Sequence, residues 1–169
     1  MVMDRDPRRQ LRESVAAARE LYEAGQFAQA LQALEEIPAP YGASPELLEF
    51  RCHLYLGAQQ WDLAAALAQR LAEVNPGEPG HWISWAFAVR RLRSLAEAET
   101  ILLDACARHP LCATIHFNLA CYAAQTGRLT QAAARLHEAL RLEPRMAAQA
   151  AEDSDLKPLF ENPPAGFSL

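Results

Sequence analysis

The sequence has almost no lysine and little glycine. Of its 16 basic residues only Lys157 is a lysine, and the arginines are spread along the chain without forming a dense basic run. Together with a net charge of -5, this argues against nucleic acid as the partner. Seven glycines in 169 residues, against abundant alanine, favour a helical fold.

Targeting and membrane-spanning segments are also missing from the pattern. No window of about 18 uninterrupted apolar residues occurs, so no transmembrane helix and no membrane partner are predicted. The charged start, Met-Val-Met-Asp-Arg, leads to no apolar segment of a secretion signal. We therefore expect a cytoplasmic protein. Its four cysteines could make two disulfides, but a reducing compartment predicts free thiols.

Motifs of common catalytic sites are absent as well. The sequence has no glycine-rich phosphate loop, no Gly-x-Ser-x-Gly elbow and no His-Glu-x-x-His. Asp153 and Asp155 form a close carboxylate pair, but at a helix start they are better explained as caps. His137 is interpreted as part of a solvated helix face. The sequence therefore predicts a protein that is not an enzyme and needs no cofactor.

A repeated pattern is what the sequence does contain. Residues 79–112 form two amphipathic segments around a polar break at Arg93-Ser94, and Pro110 closes the unit. The same frame recurs every 34 residues, which is typical of a helical repeat array. It predicts four units in a single domain, at about 11–44, 45–78, 79–112 and 113–146.

The start of a helix is indicated at two places. Asp6-Pro7 and Ser44-Pro45 each resemble an N-cap followed by proline at the first helical position. The second helix of the first unit is predicted at about 28–37. Pro38-Ala39-Pro40 is its predicted stop, and Tyr41-Gly42-Ala43 is expected to be loop.

Three kinds of position recur in register. A small residue in the first segment is found at Ala18, Cys52, Ala86 and Ala120. An alanine early in the second segment is found at Ala30, Ala64, Ala98 and Ala132. A closing proline is found at Pro76, Pro110 and Pro144.

This register resembles the tetratricopeptide repeat (TPR) family over about residues 11–146. The resemblance implies an all-α fold, a right-handed TPR superhelix (an α-α solenoid) of four helix-turn-helix repeats plus a C-terminal capping helix. The chain departs from the family pattern in places: the early aromatic survives only as Trp82, and the turn glycine only as Gly25 and Gly127. The first unit has Gly42 where the closing proline would be.

The C-terminal stretch resembles the short ending that follows the last repeat in many bacterial TPR proteins. Residues 147–160 are predicted to cap the array, because a solenoid must cover its last hydrophobic edge. Leu156, Leu159 and Phe160 are the expected covering residues. Residues 161–169 are expected to form a flexible tail.

In the TPR arrangement the first helix of each unit lines the concave surface, and its unpacked stripe is available to a partner. The residues predicted to form the partner-binding groove are Arg19, Tyr22, Glu49, His53, Leu56, Ile83, Phe87, Arg90, Phe117 and Cys121. The same stripe includes Arg12, Val15, Glu46, Thr114 and Ala124. Phe87 and Phe117 are expected to share one hollow and to anchor a partner peptide or helix. The alternative is that superhelix packing or the chain's own C-terminal tail buries them.

Some TPR domains hold a chaperone's C-terminal carboxylate with groove lysines and asparagines. Those surfaces here carry Val15, Arg19, Glu49 and Ile83. Glu49 would repel a carboxylate, so that partner is not expected. The favoured function is a non-catalytic protein-interaction scaffold. The alternatives are a small secretion chaperone, a self-associating adaptor or homo-oligomer, and a metal- or thiol-dependent protein.

The metal alternative depends on one cluster in the sequence. Cys106, His109, Cys112 and His116 are spaced three, three and four residues apart, and both residue types bind zinc. The repeat register places them at a helix end, a loop and the next helix start, where nothing would preorder their side chains. No metal site is therefore predicted.

Overall fold

The computed structural model describes residues 6–37 and 41–167. No β-strand occurs in these two ranges, and the α-helices follow one another with short connections. The α-helices are α1 Pro7–Glu23, α2 Phe27–Glu35, α3 Pro45–Gly57, α4 Trp61–Val74, α5 Pro79–Leu92, α6 Leu95–Arg108, α7 Ala113–Gln125, α8 Leu129–Leu142, α9 Met146–Glu152 and α10 Lys157–Glu161. The 3-10 helices are η1 Tyr41–Ala43 and η2 Ser154–Leu156.

Each helix from α1 to α7 packs against the next one along the chain. Helices α3 and α5 also contact each other, which brings the first helices of successive pairs together. Contacts that are confined to near neighbours in this way are the mark of a solenoid. The all-α solenoid expected from the sequence is therefore confirmed, while the division into one domain with the stated unit boundaries stays a prediction.

Small side chains allow the helices of each pair to approach closely. Ala18, Ala86 and Ala120 are fully buried, and Cys52 is 3% exposed. Because interiors are packed to crystal-like density, a larger residue at these positions would push the paired helices apart. The recurring small residue is thus explained by helix packing.

Side chains at the helix starts accept the unpaired backbone N–H groups. Asp6 accepts from the N–H of Arg8 at 3.0 Å, and Ser44 accepts from Leu47 at 3.4 Å. Both precede a proline at the first helical position, as the sequence predicted. Ser94 begins α6 by accepting the N–H of Glu97 at 3.1 Å, and its hydroxyl also donates to the Glu97 carboxylate.

The first pair departs from the expected bounds. Helix α2 ends at Glu35, before the predicted end at Ile37. The predicted helix stop Pro38-Ala39-Pro40 lies outside the described residues. Tyr41–Ala43, expected to be loop, forms one turn of 3-10 helix.

The C-terminal segment, which runs from α9 to residue 167, covers the last pair. Leu156 and Leu159 are fully buried in the larger core cluster, and Phe160 packs against it. The flexibility expected of residues 161–169 stays a prediction, although one described side chain of that stretch is packed. Phe167 also packs against this cluster, and its ring centroid lies 6.2 Å from that of Phe160. Partial burial of an aromatic ring at the edge of the core is favourable, because it removes apolar surface from water. Of the described helices, none has both the length and the apolar character needed to cross a bilayer.

Candidate functional site

The first helices of the pairs, α1, α3, α5 and α7, are predicted to line the concave surface, which we call the inner face. A groove between α1 and α3 is the clearest opening on this face. Its volume is about 420 Å³. We call it the α1–α3 groove. It is lined by Leu11, Arg12, Val15, Ala16, Arg19, Ser44, Glu46, Leu47 and Phe50. Four of these residues, Arg12, Val15, Arg19 and Glu46, were placed on the available stripe from sequence alone.

Aromatic and cationic groups share the wall of this groove. The guanidinium of Arg19 lies 5.5 Å from the centroid of the half-buried Phe50 ring. Phe50 also meets Tyr22 edge to face, with centroids 5.7 Å apart. Arg12 is exposed and forms no hydrogen bond or ion pair with the part of the chain that is described. The groove therefore combines an aromatic anchor with unneutralised positive charge.

Phe50 was missed as a groove residue by the sequence reasoning. It lies on the same helix as Glu49, but one residue outside the stripe that the family register assigns to a partner. A signal was available, because the equivalent positions of the other three units hold the smaller residues Ala16, Ser84 and Asn118.

The middle of the inner face contains a small polar hollow of about 110 Å³ between α3 and α5. His81 Nε2 lies 2.9 Å from Glu49 Oε1 there. The other ring nitrogen of His81, Nδ1, is buried without a hydrogen-bond partner among the described residues. His53 is exposed beside this hollow, and Leu56 packs against the core. Glu49 thus bonds across the repeat junction and does not simply face solvent.

Phe87 and Phe117 do not provide the shared hollow that was expected. Phe87 is 37% exposed and meets the Trp61 ring edge to face at 6.0 Å, with Arg91 lying 5.4 Å from its centroid. Phe117 is only 2% exposed and belongs to the main core cluster. Ile83 is half-buried against the same cluster.

The inner face is closed at α7 because the C-terminal segment packs there. Helices η2 and α10 contact α7, and Cys121, a predicted groove residue, is buried. Burial, together with the nearby Asp153 and Asp155 carboxylates, raises the pKa of the Cys121 thiol to about 12. Neither Phe117 nor Cys121 is therefore on an open surface. This unit is therefore buried, as the alternative to an open groove expected, but the elements that contact α7 belong to the predicted cap and not to the tail.

Arg90 fixes this segment. Its Nη1 donates to Asp155 Oδ2 at 2.6 Å, and its guanidinium lies 5.1 Å from the centroid of the Tyr122 ring. Gln125 Nε2 donates to the backbone oxygen of Asp155 at 3.0 Å. Asp153 does accept an N–H as a cap, but Asp155 does not cap a helix with its side chain as expected. Its carboxylate is drawn instead to the guanidinium of Arg90.

The Cys/His cluster of the sequence is only partly assembled. Cys106 Sγ lies 3.9 Å from His116 Nε2, but His109 turns away to the backbone oxygen of Pro76 at 2.9 Å. His116 is buried, donates to the backbone oxygen of Pro110 and accepts from Arg135. The expectation of an unordered His116 is thus corrected. Within residues 6–37 and 41–167 no three His, Cys, Asp or Glu side chains are arranged to hold a metal.

Comparisons with known proteins identify the fold. The structure matches a MamA structure described as MSR-1 with a TM-score of 0.65 and 22% identity, covering 87% of this chain and 82% of that one. It matches TTC0263, a thermophilic TPR protein from Thermus thermophilus, with a TM-score of 0.65 and 22% identity over 93% of each chain. MamA from Desulfovibrio magneticus RS-1 matches with a TM-score of 0.65 and 12% identity, covering 90% of this chain and 92% of that one. No protein-family model and no curated protein matches the sequence.

Proposed function

Because the chain has the TPR-type helical-repeat fold, we propose that it is a non-catalytic interaction scaffold that binds a partner segment in the α1–α3 groove. The observation that carries this proposal is the opening itself, about 420 Å³ with an apolar floor and two arginines at its rim. Grooves of this kind between rigid helices suit a short peptide or one face of a helix.

The lining residues indicate the chemistry of the partner. Leu11, Val15 and Phe50 offer apolar contact, so the partner segment carries a leucine-like or aromatic anchor. Arg12 and Arg19 exceed the single carboxylate of the lining, Glu46, so acidic residues flank that anchor. Opposite charge at the rim speeds encounter and fixes the register of binding more than it adds affinity.

The proposed surface continues from α1 and α3 to the edge of α5. It keeps Arg19 and Tyr22 in the first unit, Glu49, His53 and Leu56 in the second, and Ile83 and Phe87 in the third. Arg90 is engaged by Asp155, and Phe117 and Cys121 are buried, so these three make no contribution. The partner segment is therefore expected at the N-terminal half of the solenoid.

Selection from a peptide display library tests this proposal and does not require the partner to be identified first. We expect the selected peptides to share an apolar anchor flanked by Asp or Glu. Arg12→Ala with Arg19→Ala should weaken their binding about tenfold, mainly by slowing association, as measured by fluorescence anisotropy. The matched control is Arg70→Ala with Arg141→Ala, which removes two exposed arginines from other surfaces and should leave binding unchanged.

Two results would contradict the proposal. One is a selection that yields no acidic-apolar consensus. The other is equal loss of binding in both double variants, since this would show a response to net charge alone. Circular dichroism of each variant separates lost binding from lost structure.

A further inference from the structure

A second, larger groove is formed by helices of the second and third pairs. Its volume is about 510 Å³, and α4, α5 and α6 line it. We call it the α4–α6 groove. Helix α5 forms its floor, with Val89 buried, Trp85 half-buried and Leu92 42% exposed. The side chain of Ile101 on α6 adds a further apolar wall.

The walls of this groove run for two helical turns. Glu97 and Asp104 stand seven residues apart on α6, and Asp62 and Gln69 stand seven residues apart on α4. Seven residues of helix rise about 10.5 Å and return to the same face. The opening is thus an elongated slot with a matching length on both sides, which suits a helix of about two to three turns.

The rim of the slot is acidic. It carries Asp62, Glu97 and Asp104 against a single cation, Arg93. Arg93 lies 3.4 Å from Glu97 and neutralises that carboxylate in part. Asp62 and Asp104 have neither a hydrogen bond nor an ion pair to their side chains from the described portions of the chain. Two carboxylates on different helices therefore line an apolar floor, and neither forms an ion pair with the described residues.

We propose that the α4–α6 groove is a docking site for a basic amphipathic helix of a partner protein. The apolar stripe of such a helix covers Trp85 and Leu92, and its arginines or lysines pair with Asp62 and Asp104. The charge of this groove is opposite to that of the α1–α3 groove, so the two grooves select partners of opposite charge. The scaffold then holds two partners at once, which goes beyond the binding proposed above.

A designed peptide tests the site. The probe is a fluorescein-labelled helix of about four turns, with leucine at every third or fourth position and arginine on both flanks. A second probe has glutamate in place of each arginine. We expect the arginine probe to bind the full chain and the glutamate probe to bind at least about tenfold more weakly.

Variants locate the binding. Asp62→Asn with Asp104→Asn should weaken the arginine probe about tenfold. Glu35→Gln with Glu36→Gln removes the same charge from exposed positions on and just after α2 and should leave binding unchanged. Ala66→Trp fills the groove from an exposed position, so it should block the probe while the helical circular dichroism signal is kept.

Other outcomes overturn the proposal. Equal binding of the two probes, or an unchanged affinity in the Asp62 and Asp104 double variant, would exclude recognition by these carboxylates. Loss of the arginine probe in the Arg12 and Arg19 double variant would place it in the α1–α3 groove instead. A dimer in sedimentation that Ala66→Trp dissociates would make a second copy of this chain the occupant.

Discussion

The contact between Arg90 and Asp155 joins parts of the chain that are 65 residues apart. Both side chains are about three-quarters buried, with 25% and 27% exposure. A charge-assisted hydrogen bond in such a place is worth more than one at the surface, because little water competes for either group. This pair holds η2 on the inner face, where it helps to close the fourth unit.

Asp155→Asn is expected to lower the free energy of unfolding by about 1–2 kcal/mol, since it removes the charged acceptor at 2.6 Å. Urea denaturation followed by circular dichroism measures the change. Glu161→Gln is the matched control: its pair with Lys157 is 3.6 Å long and exposed, so its effect should stay within about 0.5 kcal/mol. Equal effects of the two variants would contradict the role given to Arg90.

Two buried thiols make stability depend on pH in the alkaline range. Burial raises the pKa of Cys52 to about 11 and that of Cys121 to about 12, from an ordinary value of 9.0. The folded chain therefore keeps two protons that the unfolded chain releases above about pH 9. Their contribution is complete below pH 9 and is lost as the pH rises through the folded-state pKa values.

The unfolding free energy should accordingly fall between about pH 9 and pH 12, and fall less steeply in the Cys52→Ala, Cys121→Ala variant. Denaturation at a series of pH values checks the slope.

In parallel, mass spectrometry after thiol alkylation at about pH 8, below the ordinary thiol pKa, should find Cys106 and Cys112 labelled first, because they are half-buried. Equal slopes, or early labelling of Cys121, would show that these thiols are not buried in solution.

At the scale of elements, the turns inside each pair differ in how their backbone is accommodated. Gly25 and Gly127 adopt left-handed conformations with φ of 72° and 74°, and Gln59 is forced to φ 58° at the equivalent turn. A side chain in this region strains the backbone, whereas glycine does not. Arg93, at the equivalent turn of the third pair, carries no such strain, because its φ is -128°.

Gln59→Gly is therefore expected to raise the unfolding free energy by about 0.5–1 kcal/mol. Gly25→Ala should lower it by about 1 kcal/mol for the same reason, although an added Cβ would meet nothing within 4 Å. Thermal denaturation of both variants provides the measurement. Opposite signs support the assignment, and a loss of stability in Gln59→Gly would contradict it.

The helices themselves were largely predictable from the sequence. The caps Asp6 and Ser44 with their following prolines set two starts, and the repeat register set the spacing of the others. The end of α2 was placed two residues late, since Ile37 continues the apolar stripe although the helix has already ended. Local pattern thus determines which segments are helical better than where each one ends.

At the scale of the whole molecule, the arrangement of the open and closed surfaces was less predictable from the sequence than the helices were. A 34-residue register specifies the solenoid, but it does not specify which part of the inner face stays open. That depends on long-range contacts such as Arg90 with Asp155 and on the burial of Phe117 in the core that the C-terminal segment completes. The α4–α6 groove was missed entirely, because its lining comes from three helices, and the pattern of one helix does not show which faces of its neighbours lie beside it.

The central claim is that the partner segment binds at the N-terminal half of the inner face and not over the closed fourth unit. Hydrogen–deuterium exchange of the full chain, with and without a selected acidic-apolar peptide, tests it most directly. The account predicts slowed exchange in α1 and α3, with α7 unchanged. Protection confined to α7 and the C-terminal segment, with none in α1 or α3, would contradict it.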